Sequence, residues 1–300
     1  MRVFARTVVT IGLLGCLGAG TAQASSITLY GGNGGHNDGT SQNDGSLVIV
    51  DQTNASISVV GHPGNVTRLT GLAFGSSTLL WGSTLVTSAF PPPPTIPPSS
   101  ALIGINPDTG ALLSTIAITS VTGLSLSIAD LAVQPGTGTI FGVSGPNGPG
   151  PASLFTINPT TGVSTLVGAL TASFASIGFA PNGTLYASVA GFQGGPINPR
   201  LVTINTGTGA FLTSLPTTDF FGAFGIRPTD GVIFGGTGDE HELFTINAVT
   251  GAQTFVGDTG LNFVGDLAFR PVPEPATLVL LGSGLVAAIA RRRHSRQIRG

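Results

Sequence analysis

Two short stretches of the chain hold the side chains that could do chemistry. A Gly-rich loop contains His36, Asp38 and Asp44, whose imidazole and carboxylate groups could serve as metal ligands. A second cluster, Asp-Glu-His-Glu, occupies residues 239–242. Neither stretch has EF-hand spacing, so a solvated polar turn is the first interpretation of each, with a calcium site as the alternative for the loop and a metal site for the cluster.

The known catalytic patterns are missing from the sequence. It has no Gly-x-Ser-x-Gly elbow, no His-Glu-x-x-His and no complete dinucleotide fingerprint. We therefore assign no catalytic residue, no metal ligand and no cofactor, and we expect a protein that is not an enzyme.

The charge of the chain excludes further classes of protein. Residues 25–272 contain 12 acidic residues against four arginines, a formal charge of −8, and the chain has no lysine. Nucleic-acid binding depends on Lys and Arg that neutralise phosphates, so a nucleic-acid partner is not expected. A P-loop and a Schiff-base lysine both need the missing amine.

A repeat organises this acidic body. The frame Leu-x-x-Ile-Asn-x-x-[Thr/Gly]-Gly recurs, and its copies are at residues 102–112, 154–164, 201–211 and 243–253, with a degenerate copy at 47–57. The spacing between copies falls from 55 to 42 residues along the chain, which is typical of propeller repeats. The repeated Asn or Asp is predicted to form an Asx turn, and the Gly to take a positive φ. A ring of binding side chains at Asp51, Asn106, Asn158, Asn205 and Asn247 is the alternative.

Each copy predicts two hairpins, whose strands we name a, b, c and d in chain order. The last copy has no strand d, because strand c at residues 266–269 runs into Pro271. An orphan strand at residues 27–31 supplies the missing one. The fold class predicted is all-β, a five-bladed β-propeller over residues 25–271, with the N-terminal strand completing the fifth blade. An open repeat array and a larger propeller are the alternatives.

The loops between strands d and a are long and dissimilar, and they share one face of such a ring. Variable loops on a rigid scaffold commonly carry function, so this face is the predicted binding face. The polyproline stretch at residues 90–98 is expected to be an exposed spacer, with a recognition segment as the alternative.

The N-terminus predicts export. Arg2 and Arg6 precede an apolar segment, and Ala22 and Ala24 form a small-residue cleavage pattern, so residues 1–24 are predicted to be a signal peptide. A lipoprotein box at Cys16 is the alternative. Cleavage after Ala24 leaves a mature chain without cysteine.

The C-terminus predicts a short membrane segment. A Pro-Glu-Pro tripeptide ends the folded part, and residues 276–290 are uncharged and apolar. As a helix, this run reaches roughly 22 Å at about 1.5 Å per residue, which is short for a membrane span. Arginines follow it directly, and the positive-inside rule places them in the cytoplasm. The residues that define this tail are Pro273, Glu274, Pro275, Arg291, Arg292 and Arg293.

The tail resembles the PEP-CTERM sorting signal of Gram-negative bacteria that make exopolysaccharide. The resemblance covers residues 272–300, about a tenth of the chain. It implies recognition by exosortase, a membrane-embedded cysteine protease, followed by removal of the tail and delivery to the cell surface or extracellular matrix.

These observations predict an exported, non-enzymatic surface or matrix protein with exopolysaccharide as its expected partner. It would be anchored in the inner membrane through the C-terminal helix before processing. The alternative is an extracytoplasmic metal-dependent hydrolase or lactonase on a propeller scaffold, which needs metal ligands converging on the central channel.

Overall fold

The computed structural model describes residues 27–34, 44–64, 66, 68–85, 100–124, 126–144, 152–172, 175–190, 198–261 and 263–271. These residues form 21 strands and one short 3-10 helix. The elements are β1 (Leu29–Asn33), β2 (Leu47–Val50), β3 (Ile57–Gly61), β4 (Gly71–Ser76), β5 (Leu79–Leu85), β6 (Ser100–Ile105), β7 (Leu112–Ala117), β8 (Thr119–Ser120), β9 (Ile128–Val133), β10 (Ile140–Ser144), β11 (Ser153–Ile157), β12 (Val163–Ala169), β13 (Ala175–Phe179), β14 (Leu185–Val189), β15 (Arg200–Ile204), β16 (Phe211–Pro216), β17 (Ala223–Ile226), β18 (Ile233–Gly236), η1 (Gly238–Glu240), β19 (Glu242–Ile246), β20 (Gln253–Asp258) and β21 (Val264–Phe269).

The strands form five sheets. Their orders are β21-β1-β2-β3, β4-β5-β6-β7, β9-β10-β11-β12, β13-β14-β15-β16 and β17-β18-β19-β20. Neighbouring strands in each sheet are antiparallel, and the two-residue β8 is added in parallel to the outer edge of β12. Within the described residues there is no α-helix.

The first strands of these sheets form a ring around an axis. β21, β4, β9, β13 and β17 each contact the corresponding strands of the two adjacent sheets, and β17 contacts β21 to complete the circle. The prediction of a five-bladed propeller with four-stranded blades is therefore confirmed. We call these five the inner strands, and we call β3, β7, β12, β16 and β20 the outer strands.

The blades divide the sequence repeat differently from our expectation. We expected strands a to d of one copy to form one blade. Instead, each blade takes c and d from one copy and a and b from the next, as in β4-β5-β6-β7. The long d-to-a connection is therefore within a blade, and the b-to-c connection crosses between blades.

Strand β1 lies in the blade that joins the two ends of the repeat array. It pairs with β21 on one side and with β2 on the other, so that Leu29 faces both Phe269 and Val50. The sequence predicted this strand at residues 27–31, and it spans Leu29–Asn33. Its contribution to the stability of the ring stays a prediction.

The repeated Asn or Asp forms the predicted Asx turn in every copy. Each side-chain oxygen accepts a hydrogen bond from the backbone N–H two residues later, at 2.7–2.9 Å. The five residues are Asp51, Asn106, Asn158, Asn205 and Asn247. These bonds explain why the frame repeats, without a ligand.

The turn glycine also allows close contact between neighbouring blades. Gly110, Gly162, Gly209 and Gly251 have positive φ, and a Cβ at any of them would meet the end of the outer strand of the preceding blade. At Gly110, for example, it would lie 2.6 Å from the carbonyl carbon of Gly61. Ala55 occupies this position in the degenerate copy, also with positive φ. Its neighbour across the blade boundary is Gly257.

The core is divided between the blades. Five hydrophobic clusters fill the spaces where adjacent sheets face each other. One of them joins Leu29 of β1 to Leu267 of β21 and to Phe234 of the preceding blade. Burial of apolar side chains between blades is what holds such a ring together.

Several predictions fall outside the described residues. These are the signal peptide with Ala22 and Ala24, the polyproline stretch, and the C-terminal helix with its flanking Pro-Glu-Pro and arginines. Among the residues that the structure describes, no helix has the length and hydropathy needed to cross a membrane.

Candidate functional site

Two aspartates lie buried at the propeller axis. Asp130 is the third residue of β9 and Asp266 is the third residue of β21, with exposures of 1% and 0%. Both come directly before a Leu-Ala pair, at the same position of the inner strand. Buried carboxyl groups are rare unless they are paired or hydrogen-bonded, so their partners define this site.

The carboxyl groups accept backbone hydrogen bonds from several blades. Asp266 accepts from the N–H of Leu72 in β4 and from that of Phe224 in β17, the latter at 3.1 Å. These two donors belong to the blades on either side of Asp266. One side chain therefore connects three adjacent inner strands.

Asp130 repeats the arrangement on the other side of the ring. It accepts from its neighbour Leu131 and from Ile177 of β13, both at 2.6 Å. Leu72, Leu131, Ile177 and Phe224 occupy equivalent positions in their strands. The inner edges of the sheets would otherwise present unpaired N–H groups to the axis, and the two aspartates satisfy four of them.

The two carboxyl groups also affect each other's protonation. Burial raises the pKa of Asp130 to about 7. The hydrogen bonds with the Asp266 side chain and with the two backbone N–H groups lower this pKa and so oppose the effect of burial. Burial raises the pKa of Asp266 well above its usual range, and the nearby charge of Asp130 raises it further. Two unprotonated carboxylates in contact would repel each other, which favours the protonated form of the pair.

The chemistry available to this pair is limited by its burial. Coupled carboxyl groups with separated pKa values can act as a general acid and base when substrate reaches them. Here both side chains are closed off from solvent, and all four of their oxygens accept backbone N–H groups. What this arrangement binds is the backbone N–H groups of the inner strands.

A cavity of about 600 Å³ lies at the axis beyond the ends of the inner strands, on the face of the c-to-d turns. Its walls are largely apolar. They include Phe74, Val133, Phe179, Ile226 and Phe269, the turn residues Pro135, Pro181 and Pro228, and Pro271, which follows β21. This cavity is on the face opposite to the one where we predicted binding.

A second cavity, of about 540 Å³, lies on the predicted binding face. It is formed by the d-to-a loops near Pro199 and Thr237 together with two b-to-c connections. Its functional groups are two carboxylates and two aromatic rings, from Asp219, Glu240, Phe220 and Phe263. We call this cavity the loop-face groove. No repeated pattern in the sequence marks this groove, because its residues come from non-equivalent loops.

The stretches that could do chemistry are only partly described. His36 and Asp38 fall outside the described residues, and the Nε2 of His62 lies 2.6 Å from the backbone oxygen of Asp44. Residues 238–240 form η1, and His241 follows it with a positive φ. The described part of the chain contains no group of three or more His, Cys, Asp or Glu side chains placed to hold a metal ion.

The aspartates at the axis were missed by sequence reasoning. The sequence analysis predicted strand c of the last copy at residues 266–269, but it counted Asp130 and Asp266 only toward the formal charge of the body. A signal was present, since Asp-Leu-Ala occurs twice at the same strand position between apolar residues. Charged residues are almost never fully buried without a partner, and the partners became visible only in the ring.

The comparisons with known proteins concern the tail and the fold. Residues 271–293 match the family model described as the PEP-CTERM protein-sorting motif. The predicted sorting motif is thereby confirmed, and it implies an exported protein that is anchored in a membrane before exosortase processes it. A comparison with curated proteins found no match.

Among the solved structures similar to this chain are three that each have 13% sequence identity. One is a chain of the nidogen/laminin complex, with a TM-score of 0.49 and 81% of each chain covered. The PQQ-bound aldose sugar dehydrogenase of Streptomyces coelicolor has a TM-score of 0.44, covering 72% of this chain and 76% of that one. TolB of Acinetobacter baumannii has a TM-score of 0.46, covering 79% and 53%.

Proposed function

We propose that this protein is a non-enzymatic component of the cell surface or extracellular matrix, sorted by exosortase and associated with exopolysaccharide. The observation that carries the proposal is the sorting motif at residues 271–293. It follows a five-bladed propeller whose last inner strand ends at Phe269.

The position of the motif supports removal of the tail without loss of the fold. Only three residues separate Phe269 from Pro273. The described fold ends with Arg270 and Pro271. The N–H of Arg270 donates to the carbonyl of Thr28, and its guanidinium forms an ion pair with Asp108 at 2.6 Å. Cleavage beyond Pro271 therefore leaves every strand and its pairing in place.

The loop-face groove supports a carbohydrate partner. Aromatic rings such as Phe220 and Phe263 offer apolar faces that suit the C–H faces of sugar rings. The carboxylates of Asp219 and Glu240 can accept hydrogen bonds from sugar hydroxyl groups. Few polar groups placed among apolar ones are the usual composition of a binding site.

The axis supports a scaffold in place of an active site. Asp130 and Asp266 face backbone N–H groups of the inner strands, so their hydrogen bonds connect blades. A hydrolase or lactonase on this scaffold would need reactive groups open to substrate at the channel.

Sorting is tested by replacing Pro273, Glu274 and Pro275 with alanine in the producing organism. We expect an unprocessed, cell-associated precursor, measured by fractionation and by intact mass. Release of the variant at the level of the natural chain would contradict the assignment. Alanine at Pro228, which lies in a c-to-d turn outside the matched residues 271–293, is the control, and processing of this variant should be unchanged.

Carbohydrate binding is tested with the exported protein on the producer's immobilised polysaccharide. The double variant Asp219→Asn, Glu240→Gln should lose at least ~10-fold in retention, equivalent to about 1.4 kcal/mol. Asp230→Asn, an exposed carboxylate on the opposite face, is the control. Equal retention of the three proteins would remove the groove from the proposal. A stoichiometric metal in the purified protein, with a thermal shift on EDTA treatment, would favour the hydrolase alternative.

A further inference from the structure

The chain leaves the propeller at its axis, on the face of the c-to-d turns. β21 is an inner strand, and Pro271, two residues beyond its end, lines the axial cavity on this face. The a-to-b turns lie on the same face, because the guanidinium of Arg270 contacts Ser77 of a c-to-d turn at 2.8 Å and Asp108 of an a-to-b turn at 2.6 Å. We call the surface formed by these two sets of turns the turn face. The opposite surface, formed by the d-to-a and b-to-c connections, is the loop face.

The short connection after Pro271 determines which face lies near the apolar run of the tail. Residues 272–275 separate Pro271 from Ala276, where the run begins. Even fully extended, they place Ala276 at most about 18 Å from Pro271, at about 3.6 Å per residue. The six residues of β21 alone extend about 20 Å from the turn face toward the loop face, at about 3.3 Å per residue. The apolar run therefore begins on the side of the turn face.

The two faces also differ in charge. Among the described residues, the turn face has two arginines against three acidic residues, a formal charge of −1, from Arg227, Arg270, Asp51, Asp108 and Asp230. The loop face has two arginines against six acidic residues, a formal charge of −4, from Arg68, Arg200, Asp44, Asp219, Asp239, Glu240, Glu242 and Asp258. A bilayer with anionic headgroups therefore repels the loop face more strongly than the turn face.

Apolar groups lie near the axis on the turn face. Pro135 and Pro181 are exposed at the axial cavity, and Phe74 and Phe179 are half-buried in its walls. Apolar surface of this kind is less costly beside the interfacial region of a bilayer than in bulk water. The exit of the chain, the low charge and these apolar groups therefore coincide on one face.

We propose that the turn face is a membrane-facing surface, held against the lipid bilayer in the precursor by the short connection at residues 272–275. The partner is the lipid surface itself, because the connection and the difference in charge act without a second protein. The loop-face groove then points away from the membrane. The inference rests on the proposed sorting, since it requires the tail to anchor the chain in a membrane before exosortase removes it.

Distance measurements in vesicles test this orientation. The precursor, with its tail, is reconstituted in vesicles of phosphatidylcholine and phosphatidylglycerol that contain an acceptor dye. A donor dye is attached at Thr229→Cys in a c-to-d turn or, as the matched control, at Thr171→Cys in a b-to-c connection, since both threonines are exposed. Each chain also carries Cys16→Ser, which leaves one thiol. Energy transfer should place the label at position 171 about 20 Å further from the bilayer than the label at position 229.

The outcomes separate this inference from the sorting on which it rests. Equal distances for the two labels, or a shorter distance for position 171, would overturn the orientation alone. A precursor that does not remain with the vesicles would contradict the orientation and the anchoring together. Urea unfolding of the labelled chains verifies that the fold is intact, and Asn182→Cys provides a second exposed site on the turn face.

A spacer separates the effect of the connection from the effect of charge. About 20 Gly and Ser residues inserted after Pro271 have a reach of roughly 25 Å, so the two distances should become similar in vesicles of phosphatidylcholine alone. Phosphatidylglycerol should restore part of the difference, and NaCl at about 1 M should remove it again, because salt screens the repulsion of the loop face. An unchanged difference in phosphatidylcholine, or no effect of phosphatidylglycerol, would contradict the proposal.

Discussion

The axis and the rim of this propeller differ in whether the five copies carry the same residues at equivalent positions. At the rim, one turn is repeated around the ring, with an Asx side chain and a residue of positive φ in every copy. At the axis, the equivalent inner-strand positions hold different residues, in the order Gly71, Asp130, Ser176, Ala223 and Asp266. Only two of these five carry a carboxyl group.

This difference between rim and axis arises because the rim turns lie apart from one another, whereas the inner strands converge. Each rim turn is surrounded mainly by its own backbone and by one neighbouring strand, so the same residues fit every time. The inner strands all meet in one narrow space, where five buried carboxylates would repel each other. Two aspartates satisfy four N–H groups, and the other three positions hold the small residues Gly71, Ser176 and Ala223.

The largest effect is expected where one strand joins the ends of the ring. Tyr30→Pro removes a donor from β1, which is paired on both sides, and should cost at least about 3 kcal/mol in free energy of unfolding. Thr119→Pro in the added strand β8 is the control and should cost less than about 1 kcal/mol. Urea unfolding measures both. Equal midpoints would mean that closure by β1 does not hold the ring together.

Removal of one carboxyl group at the axis comes next. Asp266→Ala leaves the N–H groups of Leu72 and Phe224 without their acceptor, at about 1–3 kcal/mol for each buried donor. We expect a loss of about 2–6 kcal/mol in free energy of unfolding. Glu240→Ala, at an exposed position, should stay within about 0.5 kcal/mol. A loss from Asp266→Ala no larger than this would show that the axis is not held by its aspartates.

The axis should also make stability depend on pH. Because the folded pKa of Asp130 is raised to about 7 from about 3.9 in the unfolded chain, the folded state binds more protons between these values. The free energy of unfolding should therefore fall as pH rises from about 4 to 7, and the raised pKa of Asp266 acts in the same direction.

Two ion pairs at surface turns act in the opposite direction and in a lower pH range. The hydrogen bond from Arg270 lowers the pKa of Asp108, and that from Arg227 lowers the pKa of Asp230. Their stabilisation is lost only below about pH 4, as these carboxylates become protonated. Urea unfolding at pH 4 to 8 measures the slope. Asp130→Asn should reduce the slope, and an unchanged slope would assign it to other groups.

The smallest expected effect is the difference between two glycine substitutions, one that tests turn conformation alone and one that also tests close packing at the rim. Gly110 and Gly183 both have positive φ, but a Cβ at Gly110 would lie 2.6 Å from the backbone of Gly61, whereas at Gly183 nothing lies within 4 Å. Gly183→Ala should cost about 1 kcal/mol from the left-handed backbone alone. Gly110→Ala should cost about 1–2 kcal/mol more, measured by urea unfolding, because backbone has to move. Equal losses would mean that blade contact at the rim adds nothing.

The sequence was most informative where the signal is local. Leu154–Ile157, Asn158 and Gly162 predict a strand, an Asx turn and a positive φ from neighbouring residues alone, and these features are present. Five repeats of that pattern predicted five blades. The sorting motif was equally local, since its residues are adjacent in the chain.

The assignment of strands to blades does not depend on neighbouring residues alone. Strands a and b pair with each other and c pairs with d, but the hairpin that d joins depends on whether the long d-to-a loop stays within one sheet. We predicted blades with a first and d last, whereas the structure places c at the axis and b at the rim. For the same reason the burial of Asp130 and Asp266 was not predicted, because the sequence does not show that strand c lies at the axis.

The sequence by itself determined the all-β class, the turns, the number of blades and the sorting motif, because neighbouring residues specify each of these. The tertiary structure alone decided which hairpins share a blade, why the rim glycines face a neighbouring strand, and which charges are buried. Asp130 and Asp266 are 136 residues apart in the chain, and Asp266 accepts a hydrogen bond from Leu72, 194 residues away. Only closure of the ring brings these groups together, since the inner strands must converge before their N–H groups need a shared acceptor.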